Sequence, residues 1–333
     1  MRALTTYLVI SFGLSWLAAL PLWLGDGLDS PLLGVVAITM MLAPAIAALV
    51  VVRCVERRPL ARSLGLAPVR PWGRFLGWLA LAFLVPVLLV LAALPVASAL
   101  GLYEMDLETF SGFQEVVDGQ LAAVGVAGQV DVPIQVLVAL QLVNVMIGAV
   151  VNLVPALGEE LGWRGWLLPH LACRTHVATA VVVSGVVWGL WHAPLVLLGY
   201  NYPNASPWLA LVTMVGSCTV VGAIFSWLRL RSGTVWAPAL AHGALNAAAG
   251  MHLVLGAAGT TVDTTRATIL GWSGWIVPVV LIAVLAATGQ FRARPAPGAR
   301  SAPGAPAAPG APAAQPAAQP AAPVPESEHP PGA

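Results

Sequence analysis

Eight stretches of roughly twenty mainly apolar residues, about 4–24, 31–52, 74–99, 134–157, 177–199, 208–228, 235–256 and 269–288, follow one another along the chain. A helix needs about 20 such residues to cross a hydrocarbon core roughly 30 Å thick. Strands that are not closed into a barrel would leave backbone groups unpaired in lipid, so segments of this kind are expected to be helical. The expected fold is therefore all-α, a polytopic membrane helical bundle of about eight transmembrane helices. Composition agrees: 9% of residues are charged and 59% are hydrophobic, whereas about a quarter are charged in soluble domains. The first apolar run, from Ala3 to about Leu24, is longer than the roughly 7–15 residues of a signal-peptide core, and it is read as the first transmembrane helix.

Arginine placement sets the expected orientation, because cytoplasmic loops retain Arg and Lys. Arg53, Arg57, Arg58, Arg62, Arg70 and Arg74 surround the connection between the second and third spans, and Glu104, Asp106, Glu108, Glu115, Asp118 and Asp131 fill the next one. With eight crossings, Arg2, Arg174, Arg229, Arg231, Arg292, Arg294 and Arg300 share the first side and Arg266 alone falls opposite, which places both termini in the cytoplasm. The short loops suit an integral protein of a bacterial cell membrane, with lipid as its surroundings. Three regions are expected: 1–132, holding the first three helices and the acidic outer loop; 133–290, a transmembrane core; and 291–333, a Pro/Ala-rich tail with too few bulky residues to order itself. The 101–133 connection is long enough for an amphipathic helix or a lid. A net charge of +1 and scattered arginines exclude a nucleic-acid partner, and the single Cys54, Cys173 and Cys218 are read as small packing residues.

Against this apolar background, Leu157-Gly-Glu-Glu-Leu-Gly-Trp-Arg164 places two adjacent carboxylates and an arginine beside a long span. A charge at membrane depth costs about 2.5–3.5 kcal/mol on insertion scales, so such groups need a use or a partner. Glu160 and Arg164 lie at i and i+4 and can pair, while Glu159 points about 100° away and is left available. Trp188 and His192 share the same interval, as do His242 and Asn246. Three spans thus each carry a group that is costly in lipid, which is economical if they face one another or water. Two hydrolytic routes are open. Glu159 with His192 can take a proton from water while His242 and Asn246 donate to an oxyanion. Alternatively, Glu159, His192, His242 and Asn246 hold a divalent ion, zinc being the natural candidate, although no His-Glu-x-x-His pattern occurs. An ion- or proton-coupled transporter is the competing class, disfavoured by the lack of an inverted repeat; a non-proteolytic immunity or adaptor protein is third. His170, His176, His252 and His329 are read as interfacial or structural, and Trp163 and Trp166 as interface anchors.

The ordered set Glu159-Glu160-x-x-x-Arg164, Trp188-x-x-x-His192 and His242-x-x-x-Asn246 resembles the CAAX-processing and bacteriocin-processing (CPBP, abortive-infection) family of intramembrane endopeptidases. The likeness covers about residues 150–250, and Trp188 stands where that family more often has Phe. It implies an eight-helix endopeptidase cutting a peptide or membrane-protein substrate near the cytoplasmic face, with Glu159 as base, His192 assisting, His242 and Asn246 stabilising the oxyanion or joining a metal site, Glu160 and Arg164 as an orienting pair, and Trp188 as a substrate or packing residue.

Overall fold

The computed structural model describes residues 2–126 and 132–291. The chain divides into Met1–Arg294 and Pro295–Ala333, and the second unit, with the expectations for the tail, His329 and Asp131, lies outside the described residues. Among the described residues every regular element is helical: α1 (Arg2–Leu24), α2 (Leu33–Val50), α3 (Leu60–Ser63), α4 (Trp72–Ala99), α5 (Ser111–Ala123), α6 (Ile134–Glu160), α7 (Leu168–Ala172), α8 (Val177–Trp191), α9 (Ala193–Val196), α10 (Pro207–Ser232), α11 (Trp236–Ala248), α12 (Met251–Val254) and α13 (Ile276–Ala287). The all-α expectation holds, and the apolar outer faces make this an integral membrane protein.

Five stretches have the length and apolar content to cross a membrane: Arg2–Leu24, Leu33–Val55, Trp72–Ala99, Ile134–Ala172 and Pro207–Ser232. The other three expected spans are interrupted. The 177–199 stretch breaks at His192, two residues before Pro194, which has no N–H to continue the helix. The 235–256 stretch breaks at Ala249 and Gly250, and the last one opens with a tight 3₁₀ turn at Trp272–Trp275.

The fourth span runs further than expected. Instead of ending near 157, α6 continues through a widened turn at Leu161–Leu167, where the N–H of Leu168 reaches back five residues to the carbonyl of Trp163, and then into α7. Glu159 therefore lies inside a continuous helix of 39 residues rather than capping its end. The longer helix carries Glu159 to the depth of His192. Measured from the turn joining α7 to α8, Glu159 is 172 − 159 = 13 residues back and His192 is 192 − 177 = 15 residues forward. At about 1.5 Å per residue the two stand roughly 20 and 22 Å from that turn, at one level.

Helices approach closely where glycine replaces a side chain. On α8, Gly185 and Gly189 form a G-x-x-x-G stripe, and a Cβ at either would come within 2.6 Å of Thr219 Cα or 2.5 Å of Val215 Cα of α10. Where α11 crosses α6, a Cβ on Gly243 would lie 2.7 Å from the carbonyl oxygen of Ala149. α11 is held between α6 and α4, α2 covers α6, and α1 packs on α2.

In the 101–133 connection, α5 is fastened to the segment after α12. The N–H of Gly112 donates to Gly256 O, that of Ala258 to Ser111 Oγ, and that of Gly259 to Glu115 Oε2. Trp163 and Trp166, expected at the interface, are instead buried, packed on Tyr7 of α1. Exposed indoles include those of Trp72 and Trp208, at the starts of α4 and α10. Cys54 and Cys173 are exposed, and of the three cysteines only Cys218 is buried.

Candidate active site

A cavity of about 360 Å³ opens between α2, α6, α8, α10 and α11, and Glu159, Trp188, His192, His242 and Asn246 all line it. Glu160 and Arg164 do not face it; they stand behind, fully buried.

The widened turn keeps both i, i+4 pairs in register. Arg164 Nη1 donates to Glu160 Oε1 at 2.9 Å, and Trp163 Nε1 donates to Glu159 Oε2 at 3.3 Å. The same Glu160 oxygen accepts from His242 Nδ1 at 3.1 Å. The guanidinium lies 4.4 Å from the Trp188 ring centroid and 5.4 Å from that of Phe225, a cation–π cage that offsets part of its lost hydration. Gly222 leaves room for it, since a Cβ there would come within 2.6 Å of Arg164 Nη2.

Glu159 is bound on one side only. Its Oε2 accepts from Trp188 Nε1 at 2.7 Å as well as from Trp163, and among the described residues no group donates to Oε1. Oε1 is thus the oxygen left for a molecule in the cavity.

The break in α8–α9 orients His192. Its backbone N–H turns to Gly189 O, which leaves the carbonyl of Trp188 without its helical donor, and the His192 ring takes that place through Nδ1 at 2.9 Å. A carbonyl can only accept, so Nδ1 carries the hydrogen and Nε2 of the neutral ring is an acceptor. Two further carbonyls at the break are served from α1: Trp16 Nε1 donates to Trp191 O at 3.3 Å, and Trp23 Nε1 to Pro194 O at 2.9 Å. Trp191 Nε1 returns a bond to Ser15 Oγ at 2.6 Å.

His242 has its Nδ1 committed to Glu160, so it offers the cavity only Nε2. Asn246, one turn on, is exposed on the cavity wall. Asn152, Tyr200 and Asn201 also line the cavity and escaped the sequence reading, and Cys218, read as a packing residue, lines it too. Asn152 carried a signal: it precedes Glu159 by seven residues, about 700°, and so shares its face of α6. Tyr200 and Asn201 sit in an irregular loop and carried none. His170 and His252 lie outside the cavity, the first stacked on Trp166 and 3.8 Å from Glu56, the second bonded to Ala249 O. His176 is exposed at the start of α8.

Among the described residues no group of three or more His, Cys, Asp or Glu stands close enough to share an ion. One nitrogen of each histidine and one oxygen of Glu159 are already bonded to protein. Among the described residues these side chains hold no three-ligand cluster for an ion.

The fold and cavity define a class: a helical membrane protein with a carboxylate, two imidazoles and a carboxamide around one internal space. Residues 141–248, the segment that holds every residue of the three motifs, match the family described as Rce1-like, Type II CAAX prenyl endopeptidase. The CAAX prenyl protease 2 of Methanococcus maripaludis is similar, 34% identical over 84 residues, 24% of this chain and 31% of the relative. The chain thus matches about a third of the length of that curated relative.

Proposed function

We propose that this protein is a membrane-embedded endopeptidase hydrolysing a peptide bond of a membrane-associated substrate close to the cytoplasmic face. The observation that carries the reading is the meeting of Glu159, His192, His242 and Asn246, from three separate helices, on one cavity of a size suited to a ligand. Glu159 Oε1 and His192 Nε2 flank the place of a water. As its oxygen attacks the carbonyl carbon, Glu159 takes its proton. The carbonyl oxygen, now anionic, accepts from the Asn246 amide and from a protonated His242 Nε2. Collapse breaks the C–N bond, and Glu159 returns the proton to the leaving nitrogen. Glu160, shared by Arg164 and His242, holds the imidazole in place. The arginines of 53–74 mark the cytoplasmic side in this reading, and the apolar lining by Met40, Met214, Leu245 and Ile269 suits a chain with an apolar attachment.

The test uses purified full-length protein in detergent, a fluorogenic peptide ending in a prenylated CAAX sequence, and an unmodified peptide library read by mass spectrometry. Glu159→Ala is expected to lower kcat/KM by about 10²–10⁴-fold, and His192→Ala to lower it as well, each without loss of folded protein. Cleavage by the wild type that survives a chelator supports the metal-free route, and its loss on chelation supports the metal route. Equal cleavage by all variants refutes the site.

A further inference from the structure

Trp188 meets Glu159, Arg164, His192 and His242 alike. Its indole N–H makes the shorter of the two bonds to Glu159, 2.7 Å against 3.3 Å from Trp163. Its ring face carries the Arg164 guanidinium, its ring centroid lies 5.2 Å from that of His242 in a T-shaped pair, and its carbonyl holds His192 Nδ1. It is 3% exposed, so water does not compete for the N–H. Arg164, His242 and His192 use features of residue 188 that any aromatic residue retains, a ring or a backbone carbonyl. Only the bond to Glu159 requires an indole.

A carboxylate has two equivalent oxygens, and a general base works only when one of them is aimed at the attacking water. Both indole donors here reach the same oxygen, Oε2. A charge-assisted bond of this kind is stronger than a neutral one and fixes the carboxylate plane. With the shorter bond gone, the Trp163 bond alone, longer and from the carboxylate's own helix, lets the group swing.

We infer that Trp188 is a positioning residue that selects the working oxygen of Glu159, pinning Oε2 through its indole N–H so that Oε1 faces the water. The inference rests on Glu159 being the base.

The experiment replaces Trp188 in the full-length protein with Phe and, separately, with 3-benzothienylalanine, the isostere in which sulfur takes the place of the N–H. Trp163→Phe and Glu159→Gln are made alongside. Turnover is measured on the prenylated fluorogenic peptide. The infrared band of the Glu159 carboxyl, identified as the one lost in Glu159→Gln, is read without substrate. Both 188 variants are expected to lower kcat about 10- to 100-fold with KM within about twofold, and to move the band; Trp163→Phe does so less. An unmoved band with unchanged kcat overturns the inference, and so does a rise in KM alone, which would mean the indole binds substrate. Turnover lost in Glu159→Gln yet kept in both 188 variants defeats only this inference. Turnover surviving in Glu159→Gln defeats the hydrolytic reading and this inference together.

Discussion

Glu160 gives one oxygen to two cationic or ionisable partners, Arg164 at 2.9 Å and His242 at 3.1 Å, with neither Glu160 nor Arg164 reachable by solvent. Removing one partner of a buried pair leaves a bare charge, which costs about 3–5 kcal/mol, whereas replacing both by apolar groups of similar volume is often close to neutral. Glu160→Ala is therefore expected to destabilise the protein by about that amount, and Glu160→Leu with Arg164→Met to recover much of it. Unfolding in mixed micelles measures both. The recovered double variant should still be inactive, because His242 loses the anchor of its Nδ1. A structural capping role for the pair predicts the opposite, recovery of both stability and turnover.

At the scale of helices, two close crossings set the distance between the walls of the site. Gly243 lets α11 lie against α6, and His242 is its neighbour in the chain. Gly243→Ala puts a methyl 2.7 Å from the Ala149 carbonyl oxygen and 2.9 Å from the Leu153 amide nitrogen, backbone atoms that cannot turn aside. Overpacking of this kind costs about 1–3 kcal/mol. The variant is expected to lose that stability and also turnover, whereas Gly250→Ala, with nothing within 4 Å, should lose neither. Thermal unfolding and peptide cleavage on the same samples check this. The helix content and most span positions were legible in the sequence because lipid solvation imposes a uniform demand on every crossing residue. Glu159, His192, His242 and Asn246, all on the cavity, were legible as costly polar groups at helical spacing. What was not legible depended on local competition. Pro194 was visible, but its consequence, a carbonyl passed from a backbone donor to the His192 ring, depends on how the helix closes. The helix through Glu160 looked finished because charge usually marks an end; burial behind Trp163 and Trp166 reverses that. Those indoles look identical in sequence whether they face headgroups or a carboxylate.

For the molecule as a whole, the attachment of the 101–126 segment to the end of α12 depends in part on Asp106. Hydrogen bonds from the Ser111 and Thr109 hydroxyls, then from their backbone N–H groups, hold its carboxyl well below the usual carboxylate range. A group whose folded pKa is depressed contributes stability above its unfolded value, near 3.9, and loses it as the pH falls below that value toward the folded one. Melting curves from pH 7 to pH 3 are expected to show the wild type losing more of its thermal stability below about pH 4 than Asp106→Asn does. Parallel curves would remove Asp106 from the fastening.

The braces from α1 have a bearing on how the protein is made. The bonds from Trp16 and Trp23 to the broken helix, and from Trp191 back to Ser15, join residues 175, 171 and 176 positions apart. At translation speeds of about 5–20 residues per second, α1 waits on the order of 10–30 s for its partner to emerge. His192 is set in its final pose only after the earliest and the later-made helices have met. A half-synthesised chain therefore presents lipid with a carboxylate on α6 but no assembled cavity, and any chemistry proposed for that cavity waits until the bundle closes.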